Sequence, residues 1–321
     1  MKGEILVPET VQQLEKSNVI TKKKKSGKLR YNWKSGYGML IPSFILLITF
    51  MYYPALIAIG FSFTNWDGFN QPQFTGLQNY ISLFKDKIFL ISMKNVGIWT
   101  IVKVIVELLV PLFVAVIIFH LKSKRMQYIY RVLFVIPVVV PGIVMFMIWG
   151  FIYDPNVGVL NTLLKTLGLE GIIQNWLGDP NIALYALMFV GFPFVVPFNL
   201  LIFYAGLQSI SESVYESAKL DGITKVRRFF QIEIPLVMGQ VKLILILTVI
   251  QLLQNVTLPL VMTNGGPGYS SYVPGLYMYF LAFQNGEFGL GMAVSMIIFV
   301  IVLILTWIQM KFINPSTEYK A

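Results

Sequence analysis

Six times in this sequence the chain runs for twenty-two residues or more with at most two charged side chains: residues 39–63, 96–119, 132–153, 182–207, 237–262 and 288–312. About twenty apolar residues cross a hydrocarbon core as a helix. Within a bilayer only helices and closed barrels satisfy their own backbone polar groups. Barrel strands alternate apolar and polar residues over about ten positions, so these runs predict six transmembrane helices in an all-α membrane protein. Prolines recur inside them, at 42, 54, 111, 137, 141, 193, 197 and 259. In water each would break a helix, whereas neighbouring helices in a membrane bundle re-satisfy the freed carbonyls.

Composition agrees: 12% of residues are charged, against about a quarter in soluble domains. The net charge of +10 follows topology, so nucleic acid is not an expected partner; membrane lipid is. Of the 25 Lys and Arg residues, 19 lie in segments 1–37, 120–131, 208–236 and at positions 311 and 320. The intervening segments hold four, and Lys103 and Lys242 lie inside spans. Under the positive-inside rule this places both termini in the cytoplasm. Residues 1–37 read as a basic cytoplasmic tail, 38–313 as the membrane domain and 314–321 as a short cytoplasmic tail. The tail carries Lys22, Lys23, Lys24, Lys25, Lys28 and Arg30, read as a solvated topology anchor. The first apolar run begins at Met39, too late for a cleavable signal peptide. With no cysteine and the single histidine His120, thiol catalysis and Cys- or His-based metal centres are excluded.

The loop between the fourth and fifth spans, 208–236, carries the most specific pattern. Ser211 is placed as a helix N-cap with Glu212 in the first turn, where the dipole favours an anion. Val214, Ala218 and Leu220 give the helix an apolar side. Gly222 breaks it, and a second helix is expected to end at Pro235. A short helix lying between two spans suits docking into a partner's groove. Glu216-Ser217-Ala218, Gly222 and Ile232-Glu233-Ile234-Pro235 resemble the signature of the permease subunits of bacterial binding-protein-dependent ABC importers. The likeness is to the carbohydrate branch that includes the maltose and glycerol-phosphate permeases. Tyr215, Asp221 and Phe229 fit that branch, as do Asn65-Trp66, Asp154-Pro155 with Gly158 and Asn161, and Thr263-Asn264-Gly265-Gly266-Pro267-Gly268. Ser217, Ile223 and Ile234 depart from the signature by modest changes of size.

The resemblance implies a type I ABC importer permease fold and a place in the bacterial cell membrane. It implies that Glu216, Ser217, Ala218, Asp221, Gly222 and Pro235 form the ATPase-coupling loop. The chain has no Gly-x-x-x-x-Gly-Lys-Ser/Thr phosphate loop, so no cofactor is expected on it, and ATP with magnesium belongs to a partner ATPase. Also implied are a second, distinct permease, two ATPase subunits and an extracytoplasmic sugar-binding protein. The chain itself would be a pore subunit and no enzyme.

Polar residues inside spans are costly and mark substrate paths by default. Gln251 and Asn255 stand four apart in the fifth span, sharing a helical face, and amides both donate to and accept from sugar hydroxyls. With Asn199 of the fourth span they are the expected substrate-binding residues. Lys103 and Glu107, also four apart, are expected to neutralise one another. An ion-coupled secondary transporter is the competing class; such proteins usually show more intramembrane acids and internal repeats, whereas Glu107 is the only acid deep in a span here.

Overall fold

The computed structural model describes residues 33–313; the basic tail and the final segment lie outside the described residues. The described residues are helical apart from turns, loops and an isolated bridge between Thr64 and Phe74. The chain divides into two compact units, residues 1–53 and 54–321. In the first, helix Trp33–Leu47 passes through Pro42 and is followed by a π-turn, Ile48–Tyr52, just ahead of Pro54. The helical stretch Tyr37–Phe61 is long and apolar enough to cross a membrane, as are Lys87–Phe119 and Phe288–Phe312.

The other three expected spans are not straight rods. The third is Lys124–Val139 followed by Gly142–Ile152, bent by 91° at Val140-Pro141. The fourth comprises Ala183–Phe189 and Pro197–Gln208, separated by a non-helical stretch that contains Pro193. The fifth is Met238–Leu253 and then Thr257–Met262, entered from Lys225–Leu236 through a 67° bend. Proline alone does not decide where helices break, since Lys87–Phe119 passes through Pro111. The breaks of the third and fourth spans fall where prolines lie four apart (137 and 141, 193 and 197) and successive turns lose donors; that of the fifth, before Thr257, has no such pair. The second span begins nine residues earlier than its apolar run, at Lys87, because the Asp86 carboxylate caps it by accepting from the Ile88 amide at 2.7 Å.

Two apolar clusters organise the second unit. One gathers Phe89, Val96 and Trp99 of the second span with Leu187, Leu253, Leu276 and Val294. The other gathers Leu112, Ala115 and Ile118 of the same span with Leu200, Phe203, Leu207, Val237 and Ile244. The second span threads both; between them Lys103 and Glu107 belong to neither, while Val104 packs against the first. Lipid tails are as apolar as leucine, so packing and small-residue fit, more than hydrophobicity, sort buried from lipid-facing positions. Gly289 shows such a fit. Its amide donates to the Trp66 carbonyl at 2.8 Å, and a Cβ there would run into the Thr64 carbonyl and the Trp66 amide.

Candidate functional site

Midway along the second span, between the two clusters, lies a cavity of about 580 Å³. Its walls come from the second span (Trp99, Lys103, Glu107), the break of the fourth (Gly191, Phe194) and the break of the fifth (Gln251, Gln254, Asn255). The helix stops at Leu253 and the chain turns through Gln254 to Val256. Gln251 and Asn255 therefore do not share one helical face, the basis on which the sequence paired them. The break brings both to the cavity all the same. Among the described residues neither amide has a hydrogen-bond partner within the protein, which leaves donors and acceptors for a guest.

Asn199 does not line this cavity. It is buried, and its amide donates to the Glu107 carbonyl at 2.9 Å, tying the fourth span to the second. Lys103 and Glu107 form the expected ion pair at 2.9 Å, and the ammonium also donates to the Val190 carbonyl at 3.4 Å. Phe194 has φ of 63°, rare for an aromatic residue, and its ring lies 5.0 Å from that ammonium. The buried indole N–H of Trp99 has no partner among the described residues. The lining thus combines free amides, aromatic rings and an internally neutralised charge pair, a composition suited to a polar, uncharged guest with an apolar face. Outside this lining, Trp149 packs on Tyr153 and Phe189, and Tyr204 donates its hydroxyl to Gln127 Oε1 at 2.9 Å.

A second site is the loop between the fourth and fifth spans. The helix Glu212–Leu220 starts after Ser211, as its position predicts, but the Ser211 hydroxyl pairs with Ser213 at 3.0 Å and does not cap a backbone amide. Gly222 has φ of 67° and closes the helix: its amide donates to Lys219 and that of Ile223 to Ala218, at 3.2 and 3.0 Å. Ala218 is buried, while Leu220 is 89% exposed and so departs from the expected apolar side. The following helix does not end at Pro235. A π-turn over Phe229–Glu233, in which the Ile234 amide reaches the Phe229 carbonyl, widens the ladder just before the proline, and helix continues to Leu236. Ser217, Ala218, Asp221, Ile232 and Pro235 come together around a groove of about 490 Å³, with Glu216 exposed beside it.

Behind that groove lies a charge cluster that the sequence did not reveal. Glu233 is 1% exposed; its Oε1 meets His120 Nε2 at 2.8 Å and Arg228 Nε at 3.0 Å. The Tyr215 ring lies against His120 and under the Arg228 guanidinium. Burial pushes the Tyr215 phenol up, with Glu233 adding to the rise and Arg228 opposing it. The short helix is thereby connected to the end of the second span.

The remaining family-like elements hold loops in place. Asn65 Oδ1 accepts from the Gln73 amide at 2.9 Å, and Asn161 accepts from the Trp176 indole at 2.7 Å. Asp154 accepts from the Asn156 and Val157 amides, and those bonds lower its pKa. The loop after Thr263 is latched by Asn95, whose amide donates to the Ser270 and Tyr272 carbonyls at 3.0 and 2.9 Å. A buried asparagine at the start of an apolar run was the one signal that could have found it.

Residues 107–318, which contain the loop motif and most of the cavity, match the family described as "binding-protein-dependent transport system inner membrane component". The chain belongs to this family. The permease is 29% identical to the probable ABC transporter permease protein YurN of Bacillus subtilis, over 88% of this chain and 97% of that protein. It is 31% identical to the trehalose/maltose transport system permease protein MalF of Thermococcus litoralis, over 89% and 96%. Its fold matches a solved bacterial ABC transporter involved in the import of the acidic polysaccharide alginate. The TM-score is 0.77 at 21% identity, covering 89% of this chain and 99% of that one. The fold is that of the type I importer permeases, and the permease is a membrane transport subunit of an ABC importer.

Proposed function

We propose that the permease forms one half of the translocation pore of an ATP-driven importer for a sugar or oligosaccharide. The cavity at the breaks of the fourth and fifth spans is its substrate site. The observation that carries this reading is the pair of unpartnered amides, Gln251 and Asn255, lining one cavity together with Trp99 and Phe194. Amides match sugar hydroxyls and aromatic faces match the apolar side of a sugar ring. Relatives named for trehalose/maltose and diacetylchitobiose support the substrate class.

The groove beside Glu216 receives a separate ATPase subunit, with ATP and magnesium bound there and not on this chain. The full assembly has a second permease, two ATPases and an extracytoplasmic binding protein; a relative solved fold includes a complex with a ligand-bound periplasmic protein. ATPase closure pulls on the helix Glu212–Leu220, and the Tyr215, His120, Arg228 and Glu233 cluster passes the displacement to the second span as a rigid-body motion. The termini are cytoplasmic, a reading the lysine and arginine distribution supports.

The test is uptake by Gln251→Ala and Asn255→Ala variants in the assembled transporter. Losing one hydrogen bond to a sugar hydroxyl costs about 0.5–1.5 kcal/mol, a few-fold in half-saturation, with assembly and basal ATP hydrolysis retained. Uptake at wild-type half-saturation and rate in both variants would remove the cavity as the substrate site.

A further inference from the structure

At the end of the second span is a second cavity, of about 850 Å³, built differently from the first. One wall is apolar and open: Phe113, Ile117 and Phe230 are 62%, 50% and 62% exposed. The lining also carries Lys122, Lys225 and Arg228 with His120. Glu233 is the only acid of the lining, and it is already engaged by Arg228 and His120. Lys122 and Lys225 make no ion pair among the described residues, so two ammonium groups remain uncommitted beside an apolar wall.

The geometry matches the depth profile of a bilayer leaflet. Phe113 and Ile117 lie on one face of the last turns of the span, and seven residues separate Phe113 from His120, a rise of about 10 Å. The apolar wall thus lies within the hydrocarbon layer when the lysines stand at the headgroups, where long basic side chains reach outward. We infer that this cavity binds an anionic phospholipid. The phosphate lies between Lys122 and Lys225 beside Arg228, and an acyl chain runs along Phe113, Ile117 and Phe230. A soluble anion would satisfy the lysines but leave the apolar wall uncovered; a zwitterionic lipid would do the reverse. The bound lipid would rest against the helix that leads from the coupling loop into the fifth span. This inference requires only that the second span crosses the membrane and is independent of which solute is carried.

The test uses the assembled transporter exchanged into phosphatidylcholine, titrated with phosphatidylglycerol and followed by native mass spectrometry. The wild type is expected to hold phosphatidylglycerol in preference to phosphatidylcholine. A Lys122→Gln/Lys225→Gln variant should lose that preference by roughly ten- to thirty-fold, and Ile117→Gln should weaken retention of the lipid without altering assembly. Lys165→Gln, remote from the cavity, should behave as the wild type. Equal retention of the two lipids by the wild type, or unchanged preference in the double variant, would overturn the inference. Displacement of the lipid by glycerol phosphate lacking acyl chains would also overturn it, because the site would then be one for a soluble anion.

Discussion

Gly222 allows the coupling role proposed for the loop between the fourth and fifth spans to be tested through backbone geometry alone. Its φ of 67° lies in the left-handed region, yet a Cβ added there meets nothing within 4 Å. Any penalty for a side chain is therefore conformational and not steric. An ordinary L-residue in this region costs about 1–2 kcal/mol, a β-branched one more, while asparagine occupies it comparatively readily. The nine-residue helix that Gly222 closes is too short to be stable alone and buries only Ala218 fully. Strain of about 1–2 kcal/mol at its end shifts the docked form by roughly 5- to 30-fold. The expected order of damage is Gly222→Val, then Gly222→Ala, then Gly222→Asn with the least. The assay is retention of the ATPase on the purified permease, together with solute uptake in cells. All three variants should insert normally, since no apolar run changes. If Asn proves as harmful as Val, or Ala is harmless while Asn is not, side-chain size at the ATPase interface controls docking and the backbone argument fails.

Glu216→Lys reverses an exposed charge beside the groove and should weaken ATPase retention most at low salt; retention independent of ionic strength would count against electrostatic docking there. Arg228→Ala strips a charge-assisted bond from buried Glu233, costing about 1.5–3 kcal/mol, and adding Glu233→Gln should recover part of the loss in a thermal-unfolding series; strict additivity would show the pair to be uncoupled. Gly289→Val, forced against the Thr64–Trp66 backbone, should lower the thermal midpoint, while Gly97→Ala, with open space around it, should not. The Asp67 carboxylate accepts from the Phe69 and Asn70 amides and the Asn70 side chain, which hold its pKa at about 2. Its depressed pKa means the turn is stabilised at neutral pH and loses that support as the pH falls through about 2; faster amide exchange at Phe69 and Asn70 in Asp67→Ala at neutral pH would show it, and unchanged exchange would dismiss it. For topology, exposed Asn285, on the side opposite the termini in the proposed arrangement, is the external reporter. Asn285→Cys should react with an impermeant thiol reagent on intact cells and Ser26→Cys should not; the reverse pattern would invert the orientation.

The sequence by itself determined the solvent of this protein and its family. Runs longer than twenty apolar residues can satisfy their backbone in lipid only as helices, and the loop pattern from Glu216 to Pro235 is local enough to be read along one strand of text. The left-handed Gly222 was legible for the same reason, because a helix end is a short-range event. Continuity of the spans was not legible. Pro111 is absorbed within a helix, whereas the stretch around Pro193 interrupts one, and both sit in equally apolar text. The turn at Gln254 to Val256 put Gln251 and Asn255 on the cavity by a route that helical periodicity could not supply. The same periodicity gave no hint that Asn199 turns to the Glu107 carbonyl. Glu233 meets His120 across 113 positions of sequence, and Asn95 meets Ser270 across 175. In a bilayer hydrophobicity does not distinguish a packed face from a lipid-facing one, so which polar side chains meet is decided by tertiary packing.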